Sequence, residues 1–269
     1  MSQQSESSIS VRLDPTNPGQ FFACCGLLEL SDRLWGGAEG WFEDGAFAIR
    51  LQSEINSEKA NLGSLMRQLS GARLQQIDQG DDFASPIYTP LPFGLRVDWW
   101  NDSRSGGSRL KVWAGSMRGI RVARAMQAVL QRPQLHNDRL LDYASVVYDP
   151  LEPDKKVEPF YFDARRGASA QSIDIGFAPD ALGMTSAAYP AVEVLCLIGL
   201  QRCRPMPTNL PRVFDYYTWS HPLEARLAPA AVCGLLAQVA SHGYRFENAF
   251  RTDQRKHKAF TPAKYIGRS

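Results

Sequence analysis

Histidine and cysteine are scarce in this chain, at four and five of 269 residues, and none stands at metal-ligand spacing. Cys24 and Cys25 point in different directions on a helix, and Cys196 and Cys203 have no histidine nearby, so no metal is expected. The fifth cysteine, Cys233, makes the count odd, which together with apolar surroundings excludes a disulfide framework and leaves reduced core thiols. Nucleophile elbows, Walker loops and dinucleotide fingerprints are also missing, so no cofactor is expected. No apolar run is long enough to span a bilayer, and no charged segment precedes a short apolar one, so the expectation is a cytoplasmic protein without a membrane partner. What is present is 44% hydrophobic content, enough for a sizeable core.

Net charge is also small, at +2, but it is segregated. Residues 1–100 carry 7 Lys/Arg against 13 Asp/Glu, and residues 101–132 carry 7 against 1. Residues 133–250 return to 10 against 13, and 251–269 hold 6 against 1, so the segments run −6, +6, −3 and +5. Two short basic blocks in a near-neutral chain are the footprint of a polyanion site, because phosphates need local potential rather than global charge. A solvated helix face plus a loose tail is the competing account.

Along the chain, residues 1–8 are polar and expected to be disordered. Ile9, Val11 and Leu13 alternate with polar residues as a strand, which feeds the best helix signal in the sequence. Asn17 caps it, Pro18 takes its first position, and Gln20 stands where a capping box returns its hydrogen bond. Phe21 to Leu28 is uncharged and apolar all round, so the helix should be buried on most sides until Gly36-Gly37 stops it after about 18 residues. An Asp44-Gly45 hairpin joins strands at 41–42 and 46–51. A second helix fits about 57–78, with Leu62, Leu65, Met66 and Leu69 inward and Leu74 and Ile77 as further candidates, and a strand runs from Phe93 to Trp100. Strand, helix, two strands, helix, strand is the order of a ferredoxin-like α+β unit.

Past a flexible basic loop at Ser103 to Arg109, Ser116 is placed to cap a helix over about 117–131. Val122, Met126, Val129 and Leu130 form its apolar face, and Arg118, Arg121 and Arg124 descend the opposite flank. Residues 149–159, rich in proline and charge, read as a surface linker between two halves. This gives a first α+β unit at 9–148, a second at 160–250 and a basic C-terminal tail at 251–269. In the second, Phe160 to Asp163 and Ile173 to Phe177 read as strands, Tyr189-Pro190 opens an apolar helix ended before Pro205, Val213 to Trp219 is a strand, and 228–241 a helix. Pro190 and Cys196 keep the spacing of Pro18 and Cys24; a tandem repeat of one unit and the common composition of buried helices both account for this.

For chemistry, the stronger signal is basic. Arg104, Arg109, Lys111, Arg118, Arg121 and Arg124 surround glycines and lie with Trp99, Trp100 and Trp113, the charge-plus-aromatic pattern that holds single strands. Trp113 and one of the paired Trp99-Trp100 belong in the core, since neighbours on a strand face opposite sides. Arg165-Arg166-Gly167 is a second candidate phosphate clamp, and Arg255-Lys256-His257-Lys258 a third basic stretch. No acid/base pair stands out. His221, with Tyr217 beside it, is the weak catalytic candidate. Asp98 and Asp102, and Asp163, Asp174 and Asp180, fit ion pairing and turn capping better than metal binding.

Five stretches carry a resemblance when read in order: Asn17-Pro18-Gly19-Gln20-Phe21-Phe22-Ala23-Cys24-Cys25-Gly26-Leu27, Leu95-Arg96-Val97-Asp98-Trp99-Trp100, Leu110-Lys111-Val112-Trp113-Ala114-Gly115, Phe162-Asp163-Ala164-Arg165-Arg166-Gly167, and Pro190 to Pro205. Together they resemble the third Csb family of type I-U (also called I-G) CRISPR-Cas systems, over most of the chain between Ser10 and about Trp219. The resemblance implies an antiviral defence protein in a guide-RNA effector complex, related to the RNA-binding repeat-associated superfamily of ferredoxin-like units. It carries over no catalytic set. That superfamily's glycine-rich loop lies near the C-terminus, whereas Gly106-Gly107 lies mid-chain here. The expectation is an RNA-binding, non-catalytic subunit whose partners are guide RNA or target nucleic acid and other effector subunits. A guide-RNA-processing endoribonuclease using His221, Tyr217 and a lysine, and an assembly subunit without nucleic-acid contact, are the alternatives.

Overall fold

The computed structural model describes residues 7–52, 60–77, 84–114, 117–166, 187–251 and 255–267, a mixed α+β fold of small antiparallel sheets and six helices among these residues. Helix α1 (Pro18–Trp35) begins and ends on its sequence signals. The Asn17 side chain accepts from the Gln20 amide, and Gly36, at a φ of 72°, donates its N–H to the Asp32 carbonyl. Gln20 departs from the capping box: its Oε1 accepts from the Asp14 amide at 2.6 Å and ties the helix to the chain that enters it. Strands β1 (Ile9–Arg12), β2 (Ala38–Glu43) and β3 (Ala46–Leu51) form the sheet under α1, with β3 between β1 and β2. Asp44 and Gly45 both take positive φ, the twist a two-residue hairpin needs.

Helix α2 (Leu62–Gly71) buries Leu62, Leu65, Met66 and Leu69 as the periodicity requires, and it ends before Leu74, which is buried from a loop instead. The start of the expected helix, residues 57–59, lies outside the described residues. Strands β4 (Gln75–Gln76), β5 (Ile87–Thr89) and β6 (Leu95–Val97) form a separate three-stranded sheet. The strand expected to run to Trp100 stops at Val97, and Trp99–Asn101 is a 3-10 turn. That turn lets both indoles go inward: Trp99 Nε1 donates to the Leu197 carbonyl, Trp100 Nε1 to that of Ala84, and both rings meet Trp113 edge-on.

The loop expected at 103–109 is a turn running into α3 (Gly107–Leu110), and helix α4 (Gly119–Val129) buries Val122, Met126 and Val129. Ser116 lies outside the described residues, and Arg118 occupies the N-cap position. The segment expected to be a linker is an exposed hairpin, β7 (Tyr148–Asp149) and β8 (Glu152–Lys156). Phe160 to Asp163 is not a strand: Tyr161 takes a φ of 74°, and a 3-10 turn follows at Ala164–Arg166. The Ile173 to Phe177 strand, Gly167, Asp174 and Asp180 lie outside the described residues.

Helix α5 (Pro190–Arg202) is buried nearly throughout and lies on α1. A Cβ at Gly26 would fall 2.1 Å from the Leu195 carbonyl oxygen, and one at Gly199 would fall 2.0 Å from that of Phe22, so the two backbones touch through glycine. Beyond β9 (Met206–Pro207), β10 (Val213–Trp219) and β11 (Leu223–Glu224), helix α6 (Ala228–Val232) is much shorter than the expected 228–241, because Gly234 turns the chain at a φ of 70° toward β12 (Ala240–Phe250). β11 completes the first sheet beside β2. The C-terminal segment is built in rather than loose: β13 (Lys258–Phe260) and β14 (Lys264–Gly267) pair with β12, and Ala259 and Phe260 are fully buried. One apolar cluster runs through the first sheet, α1, α5 and β10–β13.

Candidate nucleic-acid interface

The register of β12 and β13 decides which basic residues meet. Asn248 on β12 is wholly buried; its Nδ2 donates to the Arg109 carbonyl at 2.8 Å, and its amide donates to that of Arg212 at 2.9 Å. Lys258 opens β13 and donates its amide to the Val112 carbonyl at 3.0 Å, while the Phe260 amide reaches the Tyr161 carbonyl at 3.1 Å. These backbone ties draw cationic side chains from separate parts of the sequence into two groups, Lys111, Arg212 and Lys258 in one and Arg166 and Arg251 in the other.

Their mutual effect is visible in their acidities. Burial, then Arg212 and Lys111, pushes the Lys258 ammonium down to about 8 from its ordinary 10.5. Arg251 lies over the Tyr161 ring at 3.4 Å, with Arg166 at 5.8 Å from the same ring. Burial lowers Arg251, with Arg166 adding to it, and burial followed by Arg251 and Lys256 lowers His257. Tyr161 donates its hydroxyl to Glu158 and is itself pushed up to about 12, chiefly by burial. Arg212 covers Phe250 and reaches Glu247 at 3.4 Å, and Lys111 covers Trp113. The buried Nε atoms of Arg166 and Arg212 and the Nδ1 of His257 have no hydrogen-bond partner among the described residues. Like charges held this close create local positive potential that an anion relieves.

The other basic candidates are placed elsewhere. Arg104 is exposed on the turn that Asp102 caps, and Arg109 lends its carbonyl to Asn248 with its side chain in solvent. Arg118, Arg121 and Arg124 line a cleft between α4 and the β7–β8 hairpin. Within it Arg121 is paired with Asp149 and Glu152, and Arg124 donates to the Leu74 carbonyl. Arg165 is spent on the fold: it grips buried Asp163, reaches Asp142 and the Leu141 carbonyl, and covers Tyr189 at 3.4 Å. Sequence reasoning gave no signal for Arg212, whereas Arg251 and Lys258 fall in the basic tail at 251–269.

The acidic candidates serve structure. Asp98 is held by Gln201 and Arg96, and Asp102 is kept well below the usual carboxylate range by Ser105 and then Arg204. His221 is exposed past the end of β10, its Nδ1 3.3 Å from Ser220 Oγ, and the Tyr217 ring is packed flat against Gly234 and Gly243. No group of three or more metal-ligating side chains occurs among the described residues. No helix among them is long and apolar enough to cross a membrane. Compared with known proteins, the chain matches no family model, no curated protein and no solved structure.

Proposed function

We propose that this chain is a non-catalytic, RNA-binding subunit of a type I-U (I-G) CRISPR guide-RNA complex in antiviral defence, acting in the cytoplasm beside other effector subunits. The observation that carries the binding reading is the crowding of half-buried like charge along β12 and β13, where Lys111 and Arg212 bear on Lys258, and Arg166 bears on Arg251 over the Tyr161 ring. Such a cluster is costly in the free protein and is relieved by phosphates, which bring charge without sequence readout. Family resemblance supplies the biological setting. The order β1, α1, β2, β3, with β3 inserted between β1 and β2, agrees with the first four elements of a ferredoxin-like unit, which supports a relation to that superfamily.

The test is binding of a labelled single-stranded RNA by the purified protein across a salt series, with Arg212→Ala, Arg251→Ala and Lys258→Ala. Affinity should fall steeply with salt, and each change should reduce the logarithmic salt slope by about 0.7, the release expected per single-strand phosphate contact. No binding at low salt, or binding indifferent to salt and to all three changes, removes this surface from the function.

A further inference from the structure

The cleft beside α4 is a second anion site of different design. It has a volume of about 880 Å³, within the roughly 300–1,000 Å³ of small-ligand pockets. Arg118, Arg121 and Arg124, three residues apart, form one wall, and Arg73 stands at the end of α2 across from them. The lining carboxylates, Asp149 and Glu152, both lie on Arg121, where they fasten the hairpin to α4. Arg124 is bonded to a neutral carbonyl, which leaves its charge uncompensated. The rest of the lining mixes polar side chains with apolar ones: Leu74 and Ile120 are nearly fully buried, and Leu151 at the hairpin tip is 81% exposed.

Guanidinium forks and an apolar slot select for two features of one ligand. Arginine pairs with phosphate through parallel N–H donors and also stacks on planar rings, and aliphatic walls take up the faces of such a ring. A bare anion gains nothing from Leu74, Ile120 and Leu151, and a neutral apolar ligand gains nothing from four guanidiniums. We propose that this cleft binds a nucleotide, phosphate toward Arg73 and Arg124 and base against Leu151, independently of the Lys258 surface.

Isothermal titration of the full chain with AMP, GMP, CMP and UMP, and with inorganic phosphate, tests this. At least one nucleotide should bind tenfold or more tighter than inorganic phosphate. Arg73→Glu and Arg118→Glu, both exposed and checked for folding by circular dichroism, should each weaken nucleotide binding at least fivefold. Leu151→Ser should weaken the nucleotide and leave phosphate unchanged. The proposal is overturned if no nucleotide binds at millimolar concentration, if phosphate binds as tightly as the nucleotides, or if neither Arg73→Glu nor Arg118→Glu weakens nucleotide binding. Because the RNA interface is read by changes at Arg212, Arg251 and Lys258 and this cleft by changes at Arg73, Arg118 and Leu151, failure here and failure of the RNA interface are separate results.

Discussion

Two regions of this molecule gather charge, and they treat it in opposite ways. Where α1 and α5 begin, Asp163 and Glu193 are completely buried, and each is answered from within. Asp163 holds Arg165 and accepts from Asn17 Nδ2 at 2.9 Å; Glu193 accepts from the Phe162 and Asp163 amides. Both helices thus start on the same crossing segment, and they end on a shared clasp in which Arg202 and Arg33 grip buried Glu29. Along the β12–β13 rim the cations are half-buried, and Lys258 and Arg251 are each lowered by burial and by neighbouring cations. A buried charge that holds the fold is satisfied locally, whereas a charge kept for a partner is left in repulsion until the partner arrives.

The largest effect expected is at the joint. Gly199→Ala puts a methyl group 2.0 Å from the Phe22 oxygen and 2.7 Å from the Gly26 nitrogen. Backbone on that side cannot give way as a side chain would, so the cost should be about 3 kcal/mol or more in urea unfolding. Gly71→Ala is the control: nothing lies within 4 Å of its Cβ position, and a gain of about 0.5 kcal/mol follows from helix propensity. Equal behaviour of the two variants would dissolve the distinction between the joint and ordinary helix surface.

Next in size is the pH response of Glu193. Burial, then the charge of Asp163, raises its carboxyl from the ordinary 4.5 to about 8. The folded chain therefore keeps a proton that the unfolded chain releases between these values, and stability from this group is full below about pH 4.5 and declines as pH rises to 8. Glu193→Gln has no proton to lose, so thermal unfolding from pH 5 to 8 should show the variant gaining on the wild type at each step. Parallel curves mean that Glu193 is ionised throughout, and the proton assigned to it at neutral pH is then ruled out.

Much of the joint was legible in the sequence, and little of the rim was. Asn17, Pro18 and Gly36 set the limits of α1 by local rules, and an uncharged run from Phe21 to Leu28 could only be buried. The recurrence of proline and cysteine spacing at 190–196 pointed to the helix that packs on it. The glycine contact itself needed the second helix in place, because Gly26 and Gly199 are 173 positions apart. Trp99 and Trp100 were misread because one 3-10 turn replaces the strand period that would have separated their faces. On the rim, the blocks at 101–132 and 251–269 were visible as charge, but the partners of Lys258 are chosen by strand register, through Asn248 and the Val112 carbonyl. Arg118, Arg121 and Arg124 fell on one flank as their spacing requires, and only the fold shows that a hairpin carrying Asp149 and Glu152 stands opposite.

The smallest effect in energy is the one that separates the two regions most sharply. Lys258 is held at about 8 in the folded chain against an ordinary 10.5, so its charge opposes folding at neutral pH. Stability gains as pH rises from 8 to 10.5, where the unfolded chain still carries the proton that the folded chain has lost. Lys258→Met keeps the aliphatic stem and removes the charge; because the amine is partly exposed, solvent screening limits the gain at pH 7 to below about 1 kcal/mol. The same change should weaken single-stranded RNA binding and lower its salt slope by about 0.7. A lysine that serves the fold behaves the other way, since removing it leaves a carboxylate without its partner and lowers stability. Chemical denaturation and RNA titration of this single variant therefore read opposite signs for an interface lysine. Loss of stability with RNA affinity unchanged would place Lys258 with Arg165, among the charges that the fold has already used.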